Sequence, residues 1–151
     1  MKLYQFALSP NCQKVVALAH EVGMPLTIVN LDLFKGQGRS PEMLAKNPNG
    51  RVPVLEDGAF VLWESSAIMA YLASKADRTA LAPTAPRERA DVDRWLHWSV
   101  AHFGPAVRKV AFERIVKRLA GLGAPDEAAV QAGTEEFATV ASVLDPSLEG
   151  K

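Results

Sequence analysis

One cysteine, Cys12, stands in 151 residues, so no internal disulfide can form. That fits a reducing compartment, and a cytoplasmic protein is expected. Lys plus Arg is 17 and Asp plus Glu is 17, so no global field draws the chain to nucleic acid or to an anionic membrane. A local basic patch can still hold a small anion. No run approaches 18 apolar residues, which excludes a membrane-spanning helix. The first residues carry one lysine and a broken apolar run ending at Pro10, too short for a signal peptide. Only three histidines are present. His20 reads as a helix-surface residue. His97 and His102 are five apart, off the i, i+4 spacing of a helical metal pair, and no Cys or carboxylate cluster supports a metal site.

What remains is an ordinary globular composition, 48% hydrophobic and 23% charged, sized for one domain or two small ones. "KLYQFAL" (2–8) reads as a strand ending at Ser9-Pro10. Val15, Val16, Leu18, Ala19 and Val22 recur at helical spacing until Gly23 and Pro25 stop the helix. "LTIVNLDL" (26–33) reads as a second strand, apolar enough to have both faces covered. Strand, helix and strand make a βαβ unit, expected to be right-handed. Ser40-Pro41 starts a short helix, with serine as cap and proline in the first turn. "RVPVLEDGAFVLW" (51–63) is two strands joined at Asp57-Gly58. "ESSAIMAYLASK" (64–75) returns to helical period, with Ser65 placed to cap it. Two prolines and several small residues then predict a linker over 77–86. The rest reads as helix: a stretch from 87 to about Leu119 that Pro105 should kink or restart, a break at "GLGAP", and a helix from Asp126 with Val130, Phe137, Val140 and Leu144 on one side. Trp95 and Trp98 read as packing residues.

Two short stretches resist this plain reading. "LSPNCQKV" (8–15) resembles the Cys-x-x-Cys of thiol oxidoreductases with Ser9 in place of the first sulfur and Cys12 in place of the second. It admits a dead redox site, an ordinary helix start, or a site altered for other chemistry. Pro53 sits within an otherwise good strand, where it removes a ladder hydrogen bond. It implies an edge strand, a bulge, or a cis Val52-Pro53 bond that turns the Val52 backbone outward to pair with an extended ligand.

"SPNCQKV", "NPNGRVPVLEDG" and "WESSAIMAYLA", in this order and spacing, resemble the amino-terminal half of a cytosolic glutathione S-transferase, most like the serine-type theta and phi classes and their bacterial relatives. The resemblance is strong to about residue 76 and looser beyond. It implies an α/β thioredoxin-like domain (βαβ-α-ββα) over 1–76, a linker over 77–86, and a partial all-α domain over 87–151. It also favours the cis form of Pro53.

The resemblance assigns the site as well. Ser9 is implied to be the catalytic hydroxyl, which donates a hydrogen bond to the glutathione sulfur and is not itself a nucleophile. Ser65, at a helix N-terminus, is suited to the γ-glutamyl carboxylate through its hydroxyl and N–H; Glu64 is suited to the ammonium, and helix capping is a compatible role for the pair. Val52, followed by Pro53, pairs with the cysteinyl residue as an added strand would. At the glycyl carboxylate the sequence departs from the family, which often has His where Gly38 stands. Arg39 and Arg51 supply the positive charge there. Many members also have Arg where Ser66 stands. Cys12 reads as a packed residue or as a thiol able to form a mixed disulfide. His102, before "FGP", reads as a helix residue or as the active-site-facing histidine of beta-class members.

The implied activity is addition of glutathione thiolate to a hydrophobic electrophile, with glutathione as co-substrate, no metal, no nucleic acid, no membrane and a homodimeric assembly. Two rivals stand beside it: a glutathione-dependent thiol–disulfide or peroxide reductase, and a non-catalytic glutathione-binding or assembly module. Family members continue beyond "LDPSLEGK" into further helices, so the helical domain is expected to be truncated.

Overall fold

A computed structural model of the chain describes residues 1–77 and 80–149. Part of the predicted linker, residues 78 and 79, and the last two residues lie outside the described residues. The chain divides into two compact units, Met1–Val92 and Asp93–Lys151.

The first unit is built on a four-stranded sheet in the order β2-β1-β3-β4. Its strands are β1 (Lys2–Gln5), β2 (Thr27–Asn30), β3 (Val54–Asp57) and β4 (Phe60–Trp63). β1 and β2 pair in parallel through the crossover helix α1 (Pro10–Glu21), while β3 runs antiparallel to both β1 and β4. Alternation along the strands sends successive side chains to opposite faces. Leu3 and Leu55 join Val15 and Ala19 of α1 and Ile68 and Leu72 of α3 (Ser65–Lys75) in one buried cluster. Tyr4 and Val54 join Met43 of α2 (Pro41–Lys46) in another. The sheet is thus covered on both faces, as in the thioredoxin-like domain that the sequence implies.

Local chemistry sets the element ends. α1 stops in a Schellman motif: Gly23 takes φ 68, its N–H donates to His20 O at 3.1 Å, and Met24 N–H donates to Ala19 O at 2.8 Å. Ser40 caps α2 as expected, accepting from Met43 N–H at 3.3 Å. The structure corrects four expectations. β2 is an edge strand with Thr27, Ile28 and Asn30 exposed, because nothing pairs beyond it. The hairpin turn is Gly58-Ala59, since Asp57 still pairs with Phe60. Ser65 is the first residue of α3, and Glu64 holds the N-cap position. Pro53 precedes β3, so it interrupts no ladder.

The second unit is helical. α4 (Pro86–Trp98) begins in the first unit and runs into a π turn, Ser99–Phe103, then α5 (Gly104–Ala111), a second π turn, Phe112–Val116, and α6 (Lys117–Ala120). The helix passes Pro105 without a break. The wide turn just before it puts Gly104 N–H onto Ser99 O, five residues back, where a regular ladder would meet the proline. Gly121, with φ 66, ends the helix. Asp126 caps α7 (Glu127–Leu148) through its carboxylate, which accepts from Ala128 and Ala129 N–H. α5 and α7 cross at Gly133, where a Cβ would lie 3.0 Å from Lys109 Cβ and from Val110 Cγ2. Trp95 packs edge-on against Trp98, with centroids 5.3 Å apart. Among the described residues no helix is long and apolar enough to cross a membrane.

Candidate active site

The three motifs meet at one end of the sheet because of strand register. Tyr4 pairs with Val54, and Val54 pairs with Trp63. The loop leaving β1, the residues entering β3 and the residues leaving β4 therefore lie side by side. They carry Ser9, Val52-Pro53 and Glu64-Ser65.

Ser9 is the N-cap residue of α1, with φ −80 and ψ 118, and Pro10 follows in the first turn. Its backbone is fully engaged: the N–H donates to Phe6 O at 2.9 Å, and the carbonyl accepts from Cys12 N–H at 2.9 Å and Gln13 N–H at 3.0 Å. Its hydroxyl caps no helix amide, unlike a serine that spends its oxygen on N2 or N3, and its side chain acts instead on the Cys12 thiol. Gln13 Nε2 donates to Ala7 O at 3.0 Å and ties down the loop ahead of Ser9. Cys12 is fully buried. Burial pushes its thiol above the usual range, against the opposing pull of the Phe6 backbone and the Ser9 side chain. A buried neutral thiol is a packing group.

The Val52-Pro53 bond is cis, Val52 is half-buried and Pro53 is buried. Val52 lies outside the ladder, since β3 begins at Val54. The loop is braced by Asn47, which is almost fully buried: its Nδ2 donates to Arg51 O at 2.8 Å and its Oδ1 accepts from Asn49 N–H at 3.0 Å. Gly50 closes the turn with φ 63, its N–H donating to Asn47 O at 2.9 Å. A Cβ at Gly50 would stand 3.1 Å from Arg39 Cγ, so the Arg39 stem lies on the turn next to exposed Arg51. A Cβ at Gly38 would meet Leu33 Cδ2 at 2.8 Å, so a side chain at the position that often carries histidine in the resembled family would require the end of Leu33 to shift.

Glu64 takes φ 72 and ψ 114, makes no side-chain capping bond and is exposed. Such a φ is rare for a non-glycine residue. Ser65 is buried, with its Oγ 3.5 Å from Asn11 Oδ1, which joins the start of α3 to the start of α1. Ser66 Oγ is buried without a protein hydrogen-bond partner. His102 is exposed on the first π turn of the second unit. Among the described residues no group of three or more His, Cys, Asp or Glu side chains is placed to hold a metal.

The structure thus gathers Ser9, Val52, Pro53, Glu64 and Ser65 at one sheet end and sets Arg39 beside the Gly50 turn. Sequence reasoning missed Asn47. "NPNG" signals a turn, but nothing local tells that Asn47 is buried and holds the Arg51 carbonyl.

Comparison with known proteins identifies the family. Residues 3–80 match the family described as glutathione S-transferase, N-terminal domain. Glutathione S-transferase 3 of Zea mays is 40% identical over 150 residues, covering 98% of this chain and 67% of that protein. The theta-class glutathione S-transferase of Xanthomonas axonopodis pv. citri, solved with glutathione bound, superposes with a TM-score of 0.88 at 32% identity, over 99% of this chain and 70% of that one. Glutathione S-transferase I from maize, in complex with an atrazine glutathione conjugate, superposes with a TM-score of 0.86 at 31% identity, over 97% and 68%. The chain therefore spans about two-thirds of the length of these relatives. Fold and similarity agree: the chain belongs to the glutathione S-transferase family and is phi- and theta-like within it.

Proposed function

We propose that the chain is a serine-type glutathione transferase, with glutathione held by residues of the 1–76 region and its thiolate attacking a hydrophobic electrophile. The observation that carries this reading is the Ser9 hydroxyl, uncommitted to capping at the start of α1 and at the same sheet end as Val52-Pro53 and Glu64-Ser65. A free thiol has a pKa of about 8.5, so little thiolate exists at neutral pH. Lowering that by about two units requires about 2.7 kcal/mol. A hydroxyl donating to a charged acceptor supplies about 1.5–3 kcal/mol, and the positive end of α1 adds about 0.3–1 kcal/mol. The two together suffice. The thiol proton leaves to solvent, the carbon–sulfur bond forms, and the leaving group departs with its electron pair.

The remaining assignments follow charge. Ser65 and the first N–H groups of α3 take the γ-glutamyl carboxylate, Glu64 the ammonium, the Val52 backbone the cysteinyl residue, and Arg39 with Arg51 the glycyl carboxylate. The buried, neutral Cys12 favours conjugation over thiol–disulfide exchange. Exposed apolar side chains of the helical unit, Val100, Ile115, Leu119 and Val143 among them, support association with a second copy. Sedimentation at micromolar concentration should show a dimer; a clean monomer overturns that part.

The function is tested with Ser9→Ala. Glutathione affinity should stay within about threefold while the bound thiol's pKa rises by about one to two units, read from the pH–rate profile of conjugation to an aryl halide. An unchanged profile removes Ser9 from the mechanism.

A further inference from the structure

We propose that Asn11 is a positioning residue that orients the Ser65 hydroxyl toward the γ-glutamyl carboxylate; this rests on the glutathione-site reading above. The two side chains meet between α1 and α3, where Ser65 Oγ donates to Asn11 Oδ1 at 3.5 Å. Val15 and Ala19 of α1 pack with Ile68 and Leu72 of α3 in one buried cluster and fix the helices at that separation. Ser65 is buried, so its hydroxyl needs a partner, while Asn11 is exposed and its amide has room to turn.

The bond is long for a hydroxyl donor, since such bonds centre at about 2.7–2.8 Å. A long bond is readily given up to a better acceptor, and a carboxylate is one. Once the Ser65 proton points to the ligand, its oxygen has a lone pair to fill. An amide can fill it: a half-turn about χ2 puts Nδ2 where Oδ1 stood, and Asn11 then donates to Ser65. Aspartate in this place could only accept, and alanine could do neither. The chain from the Asn11 N–H through the Ser65 O–H to the carboxylate also strengthens the last bond in it.

S-Methylglutathione and its 4-aminobutyryl counterpart test this role. Neither carries an ionisable thiol, and the second lacks only the γ-glutamyl carboxylate. Asn11→Ala should weaken S-methylglutathione binding about three- to tenfold, leave binding of the counterpart as in wild type, and add no loss in a Ser65→Ala background. A misplaced start of α1 would instead weaken both ligands. Asn11→Asp keeps the acceptor, loses the donor and adds a like charge, so it should cost S-methylglutathione about tenfold or more. An aspartate in the first turn suits the α1 dipole, so the thermal midpoint of that variant should not fall. If wild type binds S-methylglutathione but Asn11→Ala is silent or weakens both ligands equally, the positioning role is overturned while the transferase reading stands. Asn11→Asp no worse than Asn11→Ala overturns it too. If wild type binds neither glutathione nor its S-methyl derivative, the transferase reading falls and this role with it.

Discussion

Among the described residues of the first unit the side chains of Leu3, Val15, Val54, Leu55, Ile68 and Leu72 are fully buried; among those of the second the fully buried apolar residue is Ala106, with Val130 close behind. The cause is layering rather than composition. A sheet offers two faces, and in the first unit α1 and α3 cover one while α2 covers the other. The α5–α7 crossing offers one seam, so each helix buries a single stripe and leaves the rest of its apolar residues outside. Phe112, Ile115, Leu119, Leu122, Phe137 and Val143 accordingly stay exposed. The lesson is that a helix can carry a good apolar period and still bury little, since periodicity reports a face and not its cover.

The comparison breaks most readily with one substitution made twice. Leu72→Ala deletes a fully buried side chain and should cost about 2–5 kcal/mol. Leu119→Ala removes the same atoms from a residue 47% exposed and should fall within about 0.5 kcal/mol of wild type. Urea unfolding followed by circular dichroism measures both. Equal costs would mean that the second unit has a core as closed as the first.

A second substitution sharpens the account of the single seam. Gly133 stands in mid-helix, where a residue with a side chain ordinarily gains up to about 1 kcal/mol of helix propensity. At this crossing its Cβ would already be 3.0 Å from two side-chain atoms of α5. Valine adds two methyl groups to that contact, and the overpacking should win by about 1–3 kcal/mol. A lowered thermal midpoint is the expected result. A raised one would mean that the α5–α7 seam is loose.

How much of this was legible beforehand differs between the same two regions. The first unit's elements followed from period and punctuation: Gly23 ends α1, Ser40 caps α2, and "EDG" marks the hairpin. The edge position of β2 was not legible, because Ile28 and Val29 look alike whether or not a neighbour covers them. In the second unit the two π turns were invisible. A turn closed at i−5 uses the residues of an ordinary helix, and Pro105 announces only that the ladder must change. At the candidate site, Ser9, Pro53, Glu64 and Ser65 were legible as motif positions. Asn47 was not, because its importance comes from burial that other segments impose.

The smallest expected effect concerns charge, and it too contrasts the units. Glu56 on β3 accepts from Lys46 Nζ at 2.7 Å, Lys2 Nζ at 3.2 Å and Tyr4 Oη at 3.2 Å. Lys46 first, then Lys2, hold its carboxyl at about 2, against an ordinary value of 4.5. A carboxyl whose folded pKa is depressed adds stability that is fully present above the unfolded value. That stability is lost as pH falls from about 4.5 toward about 2. Glu113 in the second unit is lowered as well, by Lys117 and then by the Asp126 N–H. Both carboxylates therefore contribute to acid sensitivity, each in its own unit. Glu56→Gln keeps the acceptor oxygen but cannot ionise, so the urea midpoint of the variant should fall less steeply than wild type across that window and match its slope above pH 6. Water reaches the pairs, with Lys2 54% exposed, so screening keeps the change small. If the slope between pH 4.5 and 2 is the same in variant and wild type, Glu56 does not set the acid limit of the sheet, and Glu113 becomes the group to replace next.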